Sequence, residues 1–142
     1  MPKRRKFSEY ERELILQRAK GCCEYCLTPH DFTPETFEIE HIIPLSLGGT
    51  HNIGNLAFSC SGCNNRKRQN IIGIDASIGL FSPLFNPRED EWKNHFNWAE
   101  NFTIVEGITS KGKVTIDLLK LNRTGLVNLR RALVSINVHP LV

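Results

Sequence analysis

Cys23-Glu24-Tyr25-Cys26 and Cys60-Ser61-Gly62-Cys63 are two Cys-x-x-Cys pairs. A tight turn of this kind offers two thiolates to one tetrahedral zinc, and four thiolates close the shell. The expected Zn2+ on Cys23, Cys26, Cys60 and Cys63 is therefore structural, with no open position for water or substrate. A redox pair and two disulfides are the alternatives. A redox motif needs only one pair in a thioredoxin-like setting, and disulfides belong to oxidising compartments. The N-terminus has no apolar run of the signal-peptide kind, so a cytoplasmic location is expected and zinc is favoured. Cys22 is left over and is expected to be a small buried residue, not a fifth ligand.

Between the pairs runs Phe37-Glu38-Ile39-Glu40-His41-Ile42-Ile43-Pro44-Leu45-Ser46-Leu47-Gly48-Gly49, then Asn55-Leu56, and Cys63 is followed by Asn64-Asn65-Arg66-Lys67. Over Cys23 to Lys67 this resembles an HNH endonuclease, whose ββα-metal core is a hairpin and a helix pinching one divalent ion. The resemblance implies that Glu40 and Asn64 hold that ion, that His41 is the general base, and that Asn55 braces the loop by hydrogen bonds. Asn64 stands where many members carry His, a departure that weakens the ligand. The segment Leu84-Phe85-Asn86-Pro87-Arg88 with Trp92 to Phe96 also resembles the C-terminal part of some bacterial HNH proteins, with no chemical role attached.

The chemistry of these residues agrees. A carboxylate and an amide oxygen form a hard, incomplete shell suited to Mg2+ or Mn2+, completed by water and phosphate oxygens. Such an ion polarises a phosphate, while a neutral imidazole, of unperturbed pKa about 6.5, takes a proton from attacking water. A ligated nitrogen cannot accept that proton, so the base role requires His41 to be off the metal; His41 as ligand stays open. Neighbouring strand residues face opposite ways, so Glu40 and His41 share a centre only if the strand ends or bends there, which Pro44 and the glycines allow.

Arg66, Lys67 and Arg68 are expected to begin a short helix beside Asn64, where cations and helix N-terminal amides meet a phosphate; Lys67 is the favoured contact. A solvated charged face is the plainer reading. Lys3-Arg4-Arg5-Lys6 reads equally as a backbone-binding arm or a solubilising terminus. His30 and His51 are expected to be surface loop residues, His51 being the one close to the active loop; His95 is expected to pack. Tyr25 and Trp98 are read as core, not as base-stacking residues.

These residues need positioning elements. Ser8 and Glu11 have capping-box spacing, and a helix is expected from about Ser8 to Lys20, with Tyr10, Leu14 and Ile15 as its apolar stripe and Gly21 as its stop. A strand follows over Phe37 to Ile43, a second over Leu56 to Ser59, then a polar helix near Asn64 to Gln69. Gly73 to Pro87 reads as irregular. Asn86 and Pro87 open a helix with Trp92, Phe96 and Ala99 on one face. Phe102 to Ile108 suits a strand, Lys113 to Leu119 a strand or a helix capped by Thr115, and Leu126, Leu129, Leu133 and Ile136 an amphipathic helix with Arg130 and Arg131 on its polar side.

The 142 residues suffice for one domain, expected over 1–142 with a nuclease core at about 22–70 and a C-terminal extension at about 71–142. No run approaches the roughly 18 apolar residues of a membrane span, and no membrane partner is expected. The net charge of +3 is modest, but its basic clusters suit a polyanion. The expected fold is α+β: a ββα-metal (HNH, His-Me finger) core with zinc knuckles, flanking helices and a small C-terminal strand and helix region. The expected function is metal-dependent hydrolysis of nucleic acid, DNA above RNA. The alternative is a zinc-stabilised nucleic-acid-binding module without catalysis.

Overall fold

The computed structural model describes residues 6–141. Lys3, Arg4 and Arg5 of the basic arm lie outside them. The fold is α+β, built as two compact units that meet in sequence between Ile71 and Ile72. No helix among the described residues is long and apolar enough to cross a membrane.

The first unit opens with α1, Glu9–Arg18. Both arms of the capping box form: Ser8 Oγ accepts from Glu11 N at 3.1 Å, and Glu11 Oε1 accepts from Ser8 N at 3.1 Å. Gly21, at φ 71°, ends the turn by donating to Leu16 O. The expected apolar stripe is narrower than its sequence spacing suggests. Ile15 is buried, but Tyr10 is 73% exposed and Leu14 is also exposed, because the helix touches its unit along one row only.

The strands β1, Phe37–His41, and β2, Leu56–Cys60, pair antiparallel with Phe37 opposite Cys60 and His41 opposite Leu56. β1 stops at His41, two residues short of expectation. Its hydrogen-bond ladder passes to Asn55 instead, whose carbonyl accepts from Ile42 N. α2, Ser61–Lys67, starts three residues earlier than expected. The cysteine turn itself is the reason: Cys60 Sγ accepts from Cys63 N, and the Glu35 carboxylate accepts from Gly62 N at 2.8 Å, so the first amides are capped by this chain.

The second unit holds two hairpins and two helices. The stretch read as irregular contains β3, Ile72–Asp75, paired with β4, Leu80–Pro83. Its alternation was masked by glycine, serine and proline, yet Asp75 and Ser82 face inward while Ile72, Ile74 and Phe81 face out. The helix expected after Asn86 is a single turn: Asn86 Oδ1 accepts from Arg88 N, and the Asp90 carboxylate folds back to accept from Asn86 N. Trp92, Phe96 and Ala99 then enter a 3₁₀ turn and the strand β5, Phe96–Ala99, paired with β6, Ile104–Gly107.

Of the two readings for Lys113 to Leu119, the helix holds. α3 spans Ser110–Leu119 and is capped by Thr109, not Thr115, whose hydroxyl is buried and accepts from Phe85 N. Gly112 is required where α3 passes the turn that precedes β5, since a Cβ there would lie 2.1 Å from His95 O. α4, Thr124–Ser135, buries Leu126 and Leu133. Arg130 is a correction: it is 2% exposed instead of on the polar side. Its guanidinium donates to Thr103 O, Leu121 O and Asn122 Oδ1 and lies over the Trp98 ring, satisfying backbone carbonyls that the loops leave behind.

Candidate active site and cysteine cluster

The two Cys-x-x-Cys turns meet. The four Sγ atoms of Cys23, Cys26, Cys60 and Cys63 lie within 4.8 Å of one another, all buried and none in a disulfide. Thiolates about 2.3 Å from a tetrahedral zinc stand about 3.8 Å apart. Cys26 and Cys60 are separated by 3.8 Å, so the cluster is compatible with a zinc site. Hydrogen bonds from Cys23, Cys60 and Cys63 hold the Cys26 thiol well below its usual range, while burial pushes the Cys23 thiol well above it. The first knuckle is tied to β2 through Glu24, whose N donates to Phe58 O and whose carboxylate accepts from Phe58 N. Cys22 is buried outside the cluster, with its thiol pushed up to about 11 by burial.

The strand β1 divides the candidate site between its two faces. Glu38 and Glu40 face α2, while His41 faces the loop. Glu40 is 4% exposed at its side chain: one carboxylate oxygen accepts a short hydrogen bond from the Tyr25 hydroxyl, and the other lies 3.3 Å from Lys67 Nζ. Burial, followed by the Glu40 charge, holds the Tyr25 phenol well above its usual range, so it remains a donor. Lys67 Nζ also donates to Ile42 O at 2.9 Å, so the lysine ties helix, strand and loop together.

Three expectations change here. Lys67 is expected against a phosphate, but its side chain is 2% exposed and its ammonium is committed to Glu40 and Ile42. Arg66 and Arg68 are exposed, yet they end α2 instead of beginning it, because the helix starts at Ser61. There they complement the negative end of the helix dipole, and Arg66 donates to Gly62 O. Glu40 and Asn64 do not meet: Asn64 Nδ2 donates to Glu38 Oε2 at 2.7 Å. Glu38, two residues before Glu40 on the same face, is the carboxylate that spacing alone did not single out.

Asn55 braces the loop with three hydrogen bonds. Its Oδ1 accepts from Ile43 N at 2.9 Å, and its Nδ2 donates to Ile43 O at 3.0 Å and to Thr50 O at 2.9 Å. The chain approaches itself so closely there that a Cβ on Gly49 would lie 1.7 Å from Ile43 O. Asn55→Ala should strand these backbone groups and lower stability by about 1 to 3 kcal/mol in urea unfolding, with zinc content unchanged. An unchanged midpoint would mean the loop holds without the brace.

His51 is expected at the surface, yet its Nδ1 lies 3.0 Å from His41 Nε2. The only sequence hint was its closeness to the glycine pair. On the other side, a cavity of about 310 Å³ is lined by His41, Glu38, Lys6 and Arg12 together with Phe7, Phe37 and Ile39. Arg12, unremarkable in the sequence, thus joins Lys6 as a cation near His41.

Residues 23–70 match the family model described as HNH endonuclease. The Septu protein PtuB of Bacillus thuringiensis is 31% identical over 119 residues, which cover 80% of this chain and 42% of that protein. The chain thus spans about two fifths of the length of that relative. No solved structure matches the chain.

Proposed function

We propose, because residues 23–70 match the HNH endonuclease family model, that the protein hydrolyses phosphodiester bonds in nucleic acid, with DNA as substrate and His41 as general base. The observation that carries this reading is the position of His41 at the end of β1, lining a cavity that also offers Lys6 and Arg12. Those cations suit backbone phosphates, and Arg66 and Arg68 add charge on the exposed end of α2. The zinc on the four cysteines is structural in this account.

Asn64 and Glu38 would hold a divalent ion, with Glu40 placed behind them. Their oxygens are hard donors suited to Mg2+ or Mn2+, Glu38 already touches Asn64, and the Lys67 ammonium holds Glu40 behind them. When bound there, such an ion supplies charge stabilisation at the phosphate and the leaving oxygen. His41 takes a proton from the attacking water, whose oxygen bonds to phosphorus as the bond to the leaving oxygen breaks. Tyr25 and Lys67 fix the carboxylate of Glu40, and Asn55 fixes the loop behind His41. The likeness to PtuB covers far more of the chain than residues 23–70, so the reading concerns a Septu-like protein and not a bare nuclease core.

The closed Glu40–Lys67 pair favours a second reading, a zinc-stabilised module that binds nucleic acid without cutting it. His41→Ala separates the two. Under the nuclease reading, cleavage falls by about 10²- to 10⁴-fold while salt-dependent binding to the same DNA is retained. Equal cleavage by wild type and variant would remove His41 from the mechanism.

A further inference from the structure

An imidazole acts as a base only through a nitrogen that carries a lone pair, so the tautomer of His41 matters as much as its place. Its Nε2 lies 3.0 Å from His51 Nδ1, and the rings meet edge to face with centroids 5.0 Å apart. One of those nitrogens donates and the other accepts. If His41 Nε2–H donates, both rings hold the Nε2–H form that a free neutral histidine side chain prefers; the opposite polarity would force both into the less favoured Nδ1–H form. The loop is fastened on both sides of His51, by Asn55 Nδ2 on Thr50 O and by Asn55 N on Asn52 O at 2.7 Å. The close approach of Gly49 to Ile43 O fixes the preceding turn.

We infer that His51 is a positioning residue for the reaction: its Nδ1 accepts from His41 Nε2–H, which holds the His41 ring in place and puts its lone pair on Nδ1, the nitrogen that takes the water proton. The inference rests on the nuclease reading with His41 as base. It gives the Asn55 brace a purpose beyond stability, since the brace holds the acceptor and not a reacting group.

The test compares zinc-loaded wild type with His51→Phe and His51→Asn. Phenylalanine keeps a ring without an acceptor; asparagine offers an amide oxygen close to where Nδ1 stood. Plasmid cleavage with Mg2+ or Mn2+ is measured against substrate concentration, and ¹⁵N spectra of the imidazoles report the His41 tautomer. We expect wild-type His41 as the Nε2–H form, a kcat about 10- to 100-fold lower in His51→Phe with KM within about twofold, and recovery of most of that loss in His51→Asn. Full activity in His51→Phe, no recovery in His51→Asn, or an Nδ1–H ring in wild type would overturn the assignment. A folded wild type that cuts nothing would sink the nuclease reading itself, and the ring spectrum would still decide which partner His51 is.

Discussion

Removing zinc with a strong chelator, or replacing Cys60 with Ser, is expected to unfold the first unit and leave a folded remainder. Apparent binding energies of structural zinc sites run to about 10–16 kcal/mol. The whole stability of a small domain is about 5–15 kcal/mol. The cluster joins the turn at Cys23 to the start of α2, so its loss frees both ends of the hairpin that carries Glu38, Glu40 and His41. Residues 72–142 have their own buried set, including Phe85, Phe96, Val114, Leu119 and Leu133, and should keep their amide dispersion in a two-dimensional NMR spectrum. Wild type and Cys22→Ala should each carry one zinc per chain, and Cys60→Ser none. A dispersed spectrum from the first unit after complete zinc removal would show that the thiol cluster is held by packing alone.

Lys67→Met is expected to be the most damaging change that leaves zinc in place. The Glu40 carboxylate and the Lys67 ammonium are both nearly excluded from solvent, so removing one leaves the other's charge buried. Such a loss costs about 3–5 kcal/mol. Tyr25 still donates to Glu40 in the variant but cannot balance its charge. Glu40→Gln/Lys67→Met should regain much of the loss, because neither charge then remains to be solvated. Urea unfolding of the single and double variants measures this coupling. Additive losses would show that Lys67 acts mainly through Ile42 O and its packed stem.

The four-cysteine cluster was the most legible part of the sequence, because two Cys-x-x-Cys turns state both ligand identity and local geometry. The hairpin and the turn through Asn55 were nearly as clear. What the sequence hid was decided by contacts between distant segments. Lys67 looks like any cation in Asn64-Asn65-Arg66-Lys67-Arg68, and only the packing of α2 on the Glu40 face of β1 buries it. Arg130 lies in an apparently amphipathic helix, yet the carbonyls of Thr103 and Leu121 draw it inward. The hairpin of β3 and β4 was obscured by Gly73, Ser82 and Pro83, residues that usually mark loops.

The candidate site divides in the same way. Period two along β1 separates Glu38 and Glu40 from His41, and that much follows from strand geometry. Which acid meets Asn64 depends on the entry of α2, which the second cysteine turn sets at Ser61 and not at Asn64. His51 became visible only when the loop closed, since ten residues separate it from His41 in the chain.

The most direct test of the nuclease account is cleavage of supercoiled plasmid by purified, zinc-loaded wild type with EDTA, Mg2+ or Mn2+, with folding confirmed by circular dichroism. The account predicts nicking or linearisation with Mg2+ or Mn2+ and none with EDTA at a concentration that leaves the cysteine-bound zinc in place. Intact plasmid under every metal, from protein that is folded and retains its zinc, would contradict DNA hydrolysis by this chain.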